Sequence, residues 1–312
     1  MKNNTNKVDL LVFGDMCIDY FYKVDNIPSL NESAKAVTLE KFFGGMGANT
    51  AVAARKLGLD VDFFSIAGHD ANDYISYLQN LGIRLNLKAV FGETTHSLFF
   101  KNQDRFISFF YKGVSEKVEE LAKDVHPDII ENAKCVYLAR TYLNLYLKVV
   151  KLCKKNKNFV VFNPGYGIFE LSKEDEEKFR KILKSVDVFV VNEEEYKICM
   201  EKNLEEAVNF GNKKILIITK GANGADVITN SGKVHVDAYE TKAVNESGAG
   251  DAFNAGFIAA HMKNFNLTDC VRLGNATASF VVENYGCQTS LIEWNVVIDR
   301  FNKLKKVMRQ KS

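Results

Sequence analysis

At 312 residues, with 41 Lys+Arg against 39 Asp+Glu and a formal charge of +2, the chain has the size of one large α/β domain and lacks the charge excess of a nucleic-acid surface. The basic tail from Lys303 to Lys311 reads as a solvated helix end, and the apolar run Val8 to Phe13 is too short for a signal peptide or a membrane span, so a cytoplasmic protein is expected. Cysteines at 17, 135, 153, 199, 270 and 287 form no C-x-x-C pair and no zinc-like spacing, which argues against a disulfide framework or structural zinc.

Short apolar, β-branched runs alternate with longer amphipathic stretches. In chain order, a strand is predicted over 8–13, a helix over 46–57, a strand over 61–66 and a helix over 70–81. Strands follow at 135–139, 159–162, 187–191 and 215–219, separated by helices at 142–155, 174–184 and 193–200. Three further helices are predicted at 250–262, 268–284 and 293–308. Parallel strands joined by crossover helices make a doubly wound, mostly parallel sheet with helices on both faces. Segments 20–43 and 84–112 break this rhythm: they alternate, are rich in Phe and Tyr, and carry KNQDR (101–105) as a turn. They predict antiparallel ribbons forming a small β-rich lid. With no linker, repeat or low-complexity tract, residues 1–312 are expected to form one domain.

In an open parallel sheet the ligand site lies beyond the carboxyl ends of the strands. Gly14 to Asp19, Arg140, Asn163-Pro164-Gly165, Asn192 to Glu195 and Lys220-Gly221 follow successive predicted strands, so polar and glycine residues gather on one rim. Two glycine-rich segments stand out on the same reading. GGMGANTAVAARKLG (44–58) opens a helix whose alanines permit close approach and whose Asn49 can both donate to and accept from a hydroxyl. NESGAGDAFNAG (245–256) sets a carboxylate, Asp251, on a turn whose bare amides suit an anion. Neither is a Walker A loop, and the third glycine of a dinucleotide fingerprint is replaced by Thr50 in one and Phe253 in the other.

These two segments, in this order, with NEEE (192–195) and TKGANGA (219–225) between them, resemble the ribokinase-like or PfkB family of carbohydrate and nucleoside kinases. The stretch ATASFVVENYGCQTSLIEW (276–294) looks most like archaeal members that phosphorylate nucleosides. The resemblance implies an ATP- and Mg2+-dependent phosphotransferase with Asp251 as catalytic base and the amides of Ser247, Gly248, Ala249 and Gly250 as an anion hole. It places Asp19, Gly45 and Asn49 in the substrate cleft; Cys17, Met46, Arg140 and Asn163 are further substrate-binding candidates on the same rim. Asn192 and Glu195 match the N-x-x-E motif that organises magnesium through water. Thr219, Lys220, Gly221 and Gly224 match the nucleotide loop, and Asn275, Ala278 and Gly286 the wall around the ATP base.

The chemistry is consistent with that assignment. Phosphoryl transfer asks mainly for positioning and charge neutralisation, plus an acceptor for the hydroxyl proton. Without the rest of the pattern Asp251 reads first as a helix cap, and Glu195 has a competing reading as a solvated member of an acidic run. Two departures matter. Asn245-Glu246 stands where relatives have Asp-Thr, which speaks against a K+ site, and Met46 stands where ribokinases have lysine, which speaks against ribose. Lid aromatics including Phe42, Phe43, Phe99, Phe106, Phe109 and Phe110 can sandwich a nucleobase or pack the lid, whereas Arg140 can grip an anionic sugar. The leading expectation is transfer from ATP to a ribonucleoside 5′-hydroxyl. A sugar, sugar-phosphate or sugar-acid kinase is the alternative, and a non-catalytic binding protein of the same fold the more distant one. A homodimer through the lid is expected from its exposed apolar face.

Overall fold

The computed structural model of the chain describes residues 7–102, 106–208 and 214–311. The expected turn at 101–105 falls largely outside them, as do the side chains of Phe106 and of the tail beyond Lys303. Thirteen strands and nine α-helices are described, in two sheets.

In the large sheet β1 (Val8–Phe13) pairs parallel with β4 (Val61–Ala67) on one side and β8 (Ala133–Ala139) on the other. Beyond β8 lie β9 (Phe159–Asn163), β10 (Val188–Asn192) and β11 (Ile215–Thr219), all parallel. Successive side chains of a strand point to opposite faces. Leu10, Val12, Val188, Val190 and Ile217 therefore enter one core, and Leu11, Phe13, Phe189, Val191, Leu216 and Ile218 the other.

Helices α1 (Met46–Lys56), α2 (Asn72–Asn80), α7 (Ala249–Met262), α8 (Leu267–Val281) and α9 (Trp294–Lys311) cover the first face. The short α3 (Pro127–Glu131) joins α4 (Leu143–Asn156), α5 (Lys173–Leu183) and α6 (Glu193–Glu201) on the second. The doubly wound sheet is thus present, and every strand and helix expected from periodicity is found to within about two or three residues.

Two features were not foreseen. β12 (Ala225–Thr229) and β13 (Gly232–Val236) extend the β11 edge as antiparallel strands. β5 (Arg84–Ala89) pairs parallel with β4 as the opposite edge of the large sheet, so the expected lid segment 84–112 begins too early. An edge strand is half exposed and alternates as a lid strand does, and alternation alone cannot separate the two.

The small sheet has the order β3-β2-β6-β7, from β2 (Cys17–Val24), β3 (Ala36–Gly44), β6 (Thr95–Lys101) and β7 (Phe106–Tyr111). β2–β3 and β6–β7 are antiparallel, while β2 and β6 run parallel. Phe21 stacks on Phe99 and Tyr22 on Phe100, with ring centroids 4.4 and 4.9 Å apart, so several aromatics hold the lid sheet together. The lid touches the body along several elements: Phe43 stacks on Tyr74 of α2 with ring centroids 4.2 Å apart, and His96 Nε2 lies 2.7 Å from Asp70. The Phe42 ring lies against Gly286, Lys101 Nζ reaches the Tyr285 hydroxyl at 3.3 Å, and the Arg140 guanidinium stands 5.5 Å from the centre of the Phe110 ring.

Candidate active site

The loop after β1 passes under the start of α1 at Gly14 and Gly47, where a Cβ on either residue would stand 2.6–2.7 Å from the other's Cα. Only two glycines permit that crossing, and it sets the N-terminus of α1 on the sheet rim. Asp15, 1% exposed, accepts a weak bond from the Gly47 amide at 3.4 Å and a strong one from Arg140 Nε at 2.6 Å. Burial disfavours the charge of Arg140, and the Asp15 carboxylate more than offsets this, so the guanidinium pKa is raised. The expected anion-gripping arginine thus already has a buried counter-ion, an aspartate that sequence reasoning placed on the rim but gave no role.

Asp19 lies on β2, in the lid sheet, with Cys17 Sγ donating to Oδ1 at 3.2 Å. Burial raises its pKa, against the contacts with Cys17 and Ser97. Gly44 pairs with Cys17 across the ladder, diagonal to Asp19, and a Cβ there would lie 2.2 Å from Asp19 Oδ2. The glycine makes the room in which the carboxylate sits. Gly45, with φ of 95°, then turns the chain from β3 into α1. Asn163 Oδ1 accepts from the Gly165 amide at 2.9 Å, and Met46 Sδ covers Gly165, so these two residues form one wall beside Arg140.

Asp251 stands on the first turn of α7 and is 8% exposed. Asn49 Nδ2 donates to its Oδ2 at 2.8 Å, which joins the two glycine-rich segments 202 residues apart. Burial pushes its pKa from 3.8 up to about 7; the Asn49 bond and Arg140 oppose this, while the charges of Asp15 and Glu195 add to it. A buried carboxylate titrating near neutrality is what a general base needs, whereas a solvated cap would stay acidic.

In the turn before it, the Ser247 amide is already bonded to Asn245 Oδ1 at 2.7 Å and the Ala249 amide to the Glu246 carbonyl at 3.2 Å. The amides of Gly248 and Gly250 carry no hydrogen-bond partner among the described residues. The four-amide anion hole expected from the sequence is therefore halved, because Asn245 turns the chain back on itself. Gly250 has open space where a Cβ would be, and Gly248, at φ 80°, packs on Cys287.

A cleft of about 740 Å³ opens beside this turn. Of the residues assigned to the nucleotide, Asn192, Thr219, Gly221, Gly224, Asn275 and Ala278 line it, as do Ala249 and Gly250 of the turn. Asn275 also ties α8 to the strand edge, donating to the Asp237 carbonyl at 3.0 Å. Lys220 and Gly286 are not part of this wall. Lys220 Nζ pairs with Glu193 at 3.3 Å and Asp226 at 3.0 Å, while Gly286 lies under the lid against Phe42.

Glu195 and Asn192 form a capping box at the start of α6: Glu195 Oε2 accepts from the Asn192 amide at 2.9 Å, and Asn192 Oδ1 from the Glu195 amide at 2.8 Å. Glu195 is nevertheless 6% exposed and its pKa is raised by burial, so it is no solvated member of an acidic run. Gln288 escaped sequence reasoning altogether, since a lone glutamine in a loop carries no pattern. Its Nε2 donates to Asn49 Oδ1 at 2.8 Å and to the Tyr74 hydroxyl at 2.7 Å.

The family pattern described as pfkB family carbohydrate kinase matches residues 7–295. A nucleoside kinase of Methanocaldococcus jannaschii is 32% identical over 306 residues, spanning 93% of this chain and 95% of that one. A 5-dehydro-2-deoxygluconokinase of Clostridium botulinum is 25% identical, spanning 91% and 90%. The crystal structure of the Methanocaldococcus jannaschii nucleoside kinase, described as an archaeal member of the ribokinase family, superposes with a TM-score of 0.82 over 96% of this chain and 99% of that one. No helix among the described residues is long and apolar enough to cross a membrane. The chain belongs to the pfkB family of carbohydrate kinases, ATP-dependent enzymes with an alcohol group as acceptor.

Proposed function

We propose that the protein transfers the γ-phosphoryl group of ATP to the 5′-hydroxyl of a ribonucleoside. The observation that carries the reading is the position of Asp251, between a cleft lined by Ala249 and Gly250 and the lid-covered residues Asn49 and Gln288, with a pKa near neutrality. The acceptor hydroxyl gives its proton to the Asp251 carboxylate as its oxygen bonds to the γ-phosphorus. The bond from that phosphorus to the β,γ-bridging oxygen breaks, and ADP leaves. The amides of Gly248 and Gly250 receive the charge of the transferred group at the N-terminus of α7. Asp19, Gly45 and Asn49 hold the sugar hydroxyls, with Cys17, Met46 and Asn163 shaping that end of the site.

Mg2+ favours one or two carboxylates plus phosphate oxygens, and Glu195 fits as a buried carboxylate on this rim with one oxygen committed to its cap. When bound, the ion would neutralise phosphate charge, with Glu195 and Asn192 holding its water shell. The neutral Asn245, whose oxygen is spent on the Ser247 amide, gives no reason to add K+.

Two observations favour a nucleoside over a sugar phosphate or sugar acid: the 32% identity to an archaeal nucleoside kinase, and the Asp15 partner that neutralises Arg140. ADP release measured with Mg-ATP and a panel of nucleosides, sugars, sugar phosphates and sugar acids tests the proposal. Turnover is expected with ribonucleosides first. Exclusive turnover of an anionic sugar would overturn the substrate choice, and saturable binding without ADP release would overturn catalysis. A homodimer covering the exposed lid residues Val37, Leu39 and Phe109 belongs to the same proposal, and a monomer in sedimentation at micromolar concentration would count against it.

A further inference from the structure

Behind Asp251 runs a chain of hydrogen bonds that ends on the lid. The Tyr74 hydroxyl donates to the Gly44 carbonyl at 2.8 Å, Gln288 Nε2 donates to both the Tyr74 oxygen and Asn49 Oδ1, and Asn49 Nδ2 donates to Asp251. Its direction is fixed from the far end. A backbone carbonyl can only accept, so the Tyr74 proton is committed to Gly44 and its oxygen must accept. The Gln288 atom facing Tyr74 is therefore nitrogen, the atom of Asn49 facing that nitrogen is oxygen, and the amide nitrogen of Asn49 is turned toward Asp251. Gln288 is 6% exposed, and its Oε1 is buried without a partner among the described residues, so the site uses the donor end of this amide while leaving its acceptor unmet.

We propose that Gln288 is a positioning residue for the phosphoryl transfer, setting the amide of Asn49 so that a donor and not an acceptor faces the Asp251 carboxylate. The inference rests on the reading of Asp251 as base. With Gln288 in place, Asn49 stabilises the ionised base. Without it, Asn49 loses the donor that holds its oxygen away from Asp251, and an oxygen turned toward the carboxylate would repel it. The other charged or titratable groups acting on Asp251 are Asp15, Arg140 and Glu195, with Tyr137 and Cys287 alongside. None of them touches Gln288 through a hydrogen bond, although the Cys287 thiol, next in the chain, also meets the Asn49 side chain. The segment that carries Gln288 also bears Tyr285 and Gly286, which meet the lid at Lys101 and Phe42, and Gly44 ends lid strand β3. The relay therefore spans from the lid to the base.

The test is the pH dependence of kcat/KM for Gln288→Met, Gln288→Glu and Tyr74→Phe beside Asp251→Asn, with thermal unfolding checked for each. Gln288→Met is expected to move the acidic limb up by about one pH unit, a loss of about tenfold at pH 6.5 that shrinks to under about twofold at pH 9, with KM for ATP unchanged. Gln288→Glu keeps the shape but offers an acceptor and a charge, so its shift should exceed that of Gln288→Met. Tyr74→Phe keeps the ring stacked on Phe43 and should shift the limb by less. A loss equal at all pH values, or a Gln288→Glu enzyme that outperforms Gln288→Met at pH 6.5, would overturn the inference. If Asp251→Asn turns over normally, the base assignment itself falls. If that variant is inactive while the Gln288 profiles overlay the parent, only the positioning role falls.

Discussion

Replacing Asp251 by asparagine should disable the enzyme and strengthen its fold, and the second effect has a calculable size. Burial lifts the carboxyl from 3.8 to about 7 in the folded chain. At ~1.4 kcal/mol per pH unit, that difference amounts to about 4 kcal/mol against the ionised form. A raised carboxyl pKa means that the native state holds a proton the unfolded chain has released between those two values. Its stabilising contribution is complete below pH 3.8, falls as pH rises, and is lost above about 7. Asparagine never ionises, and its carbonyl still accepts from Asn49 Nδ2. The variant should therefore match the parent near pH 4 and exceed it by up to about 4 kcal/mol at pH 8. Urea unfolding at a series of pH values, read by circular dichroism, measures this directly. The same preparation assayed for ADP release at pH 8 should show kcat lower by about two orders of magnitude or more. A stability difference that does not change with pH would refute the reasoning, because the buried charge would then lie elsewhere.

Gly44→Ala would set a Cβ 2.2 Å from Asp19 Oδ2, forcing the carboxylate aside by roughly 1 Å. The acceptor KM should rise and kcat/KM should fall by about 100-fold while ATP binding holds, as isothermal titration would show. Arg140→Met strands the Asp15 carboxylate at 1% exposure and should cost about 3–5 kcal/mol in urea unfolding, most of which Asp15→Asn should restore in the double variant. Glu195→Gln preserves the capping box, so Tm should stay within about a degree or two, while the Mg2+ concentration needed for half-maximal activity rises. A large fall in Tm instead would mark Glu195 as structural only.

The strands of the large sheet were legible because a strand buried on both faces must be apolar at nearly every position, as VDLLVF and ILIIT are. The helices were legible as the longer amphipathic stretches between the strands. The edges were not: ADVIT and GKVHV follow β11 as short strands interrupted by Asp226, Lys233 and His235, and RLNLKA on β5 alternates like the lid it was assigned to. At the site, residues in long motifs were readable, because the fold demands glycines at close crossings. What stayed hidden were partners supplied by other elements. Nothing in Asp15 announces that Arg140 closes on it from 125 residues away, and nothing in CQTS announces that Gln288 turns the amide of Asn49. Lys220 and Gly286 were placed by motif order, which records sequence neighbourhood and not which wall a residue faces.

Asp19 and Asp251 belong to different layers, the first on the lid sheet and the second on α7 against the large sheet. The separation between them is therefore set by how the two sheets meet, at Gly44, Phe42 and Arg140. On the proposed reading, a nucleotide alone would occupy a cleft lined by residues of the large-sheet layer, and would meet half of the reacting constellation. The ratio of phosphate released to water to phosphate passed to acceptor becomes a gauge of how firmly that junction is closed. Loosening it at Phe110 or Phe42 should appear as wasted ATP before it appears as lost affinity.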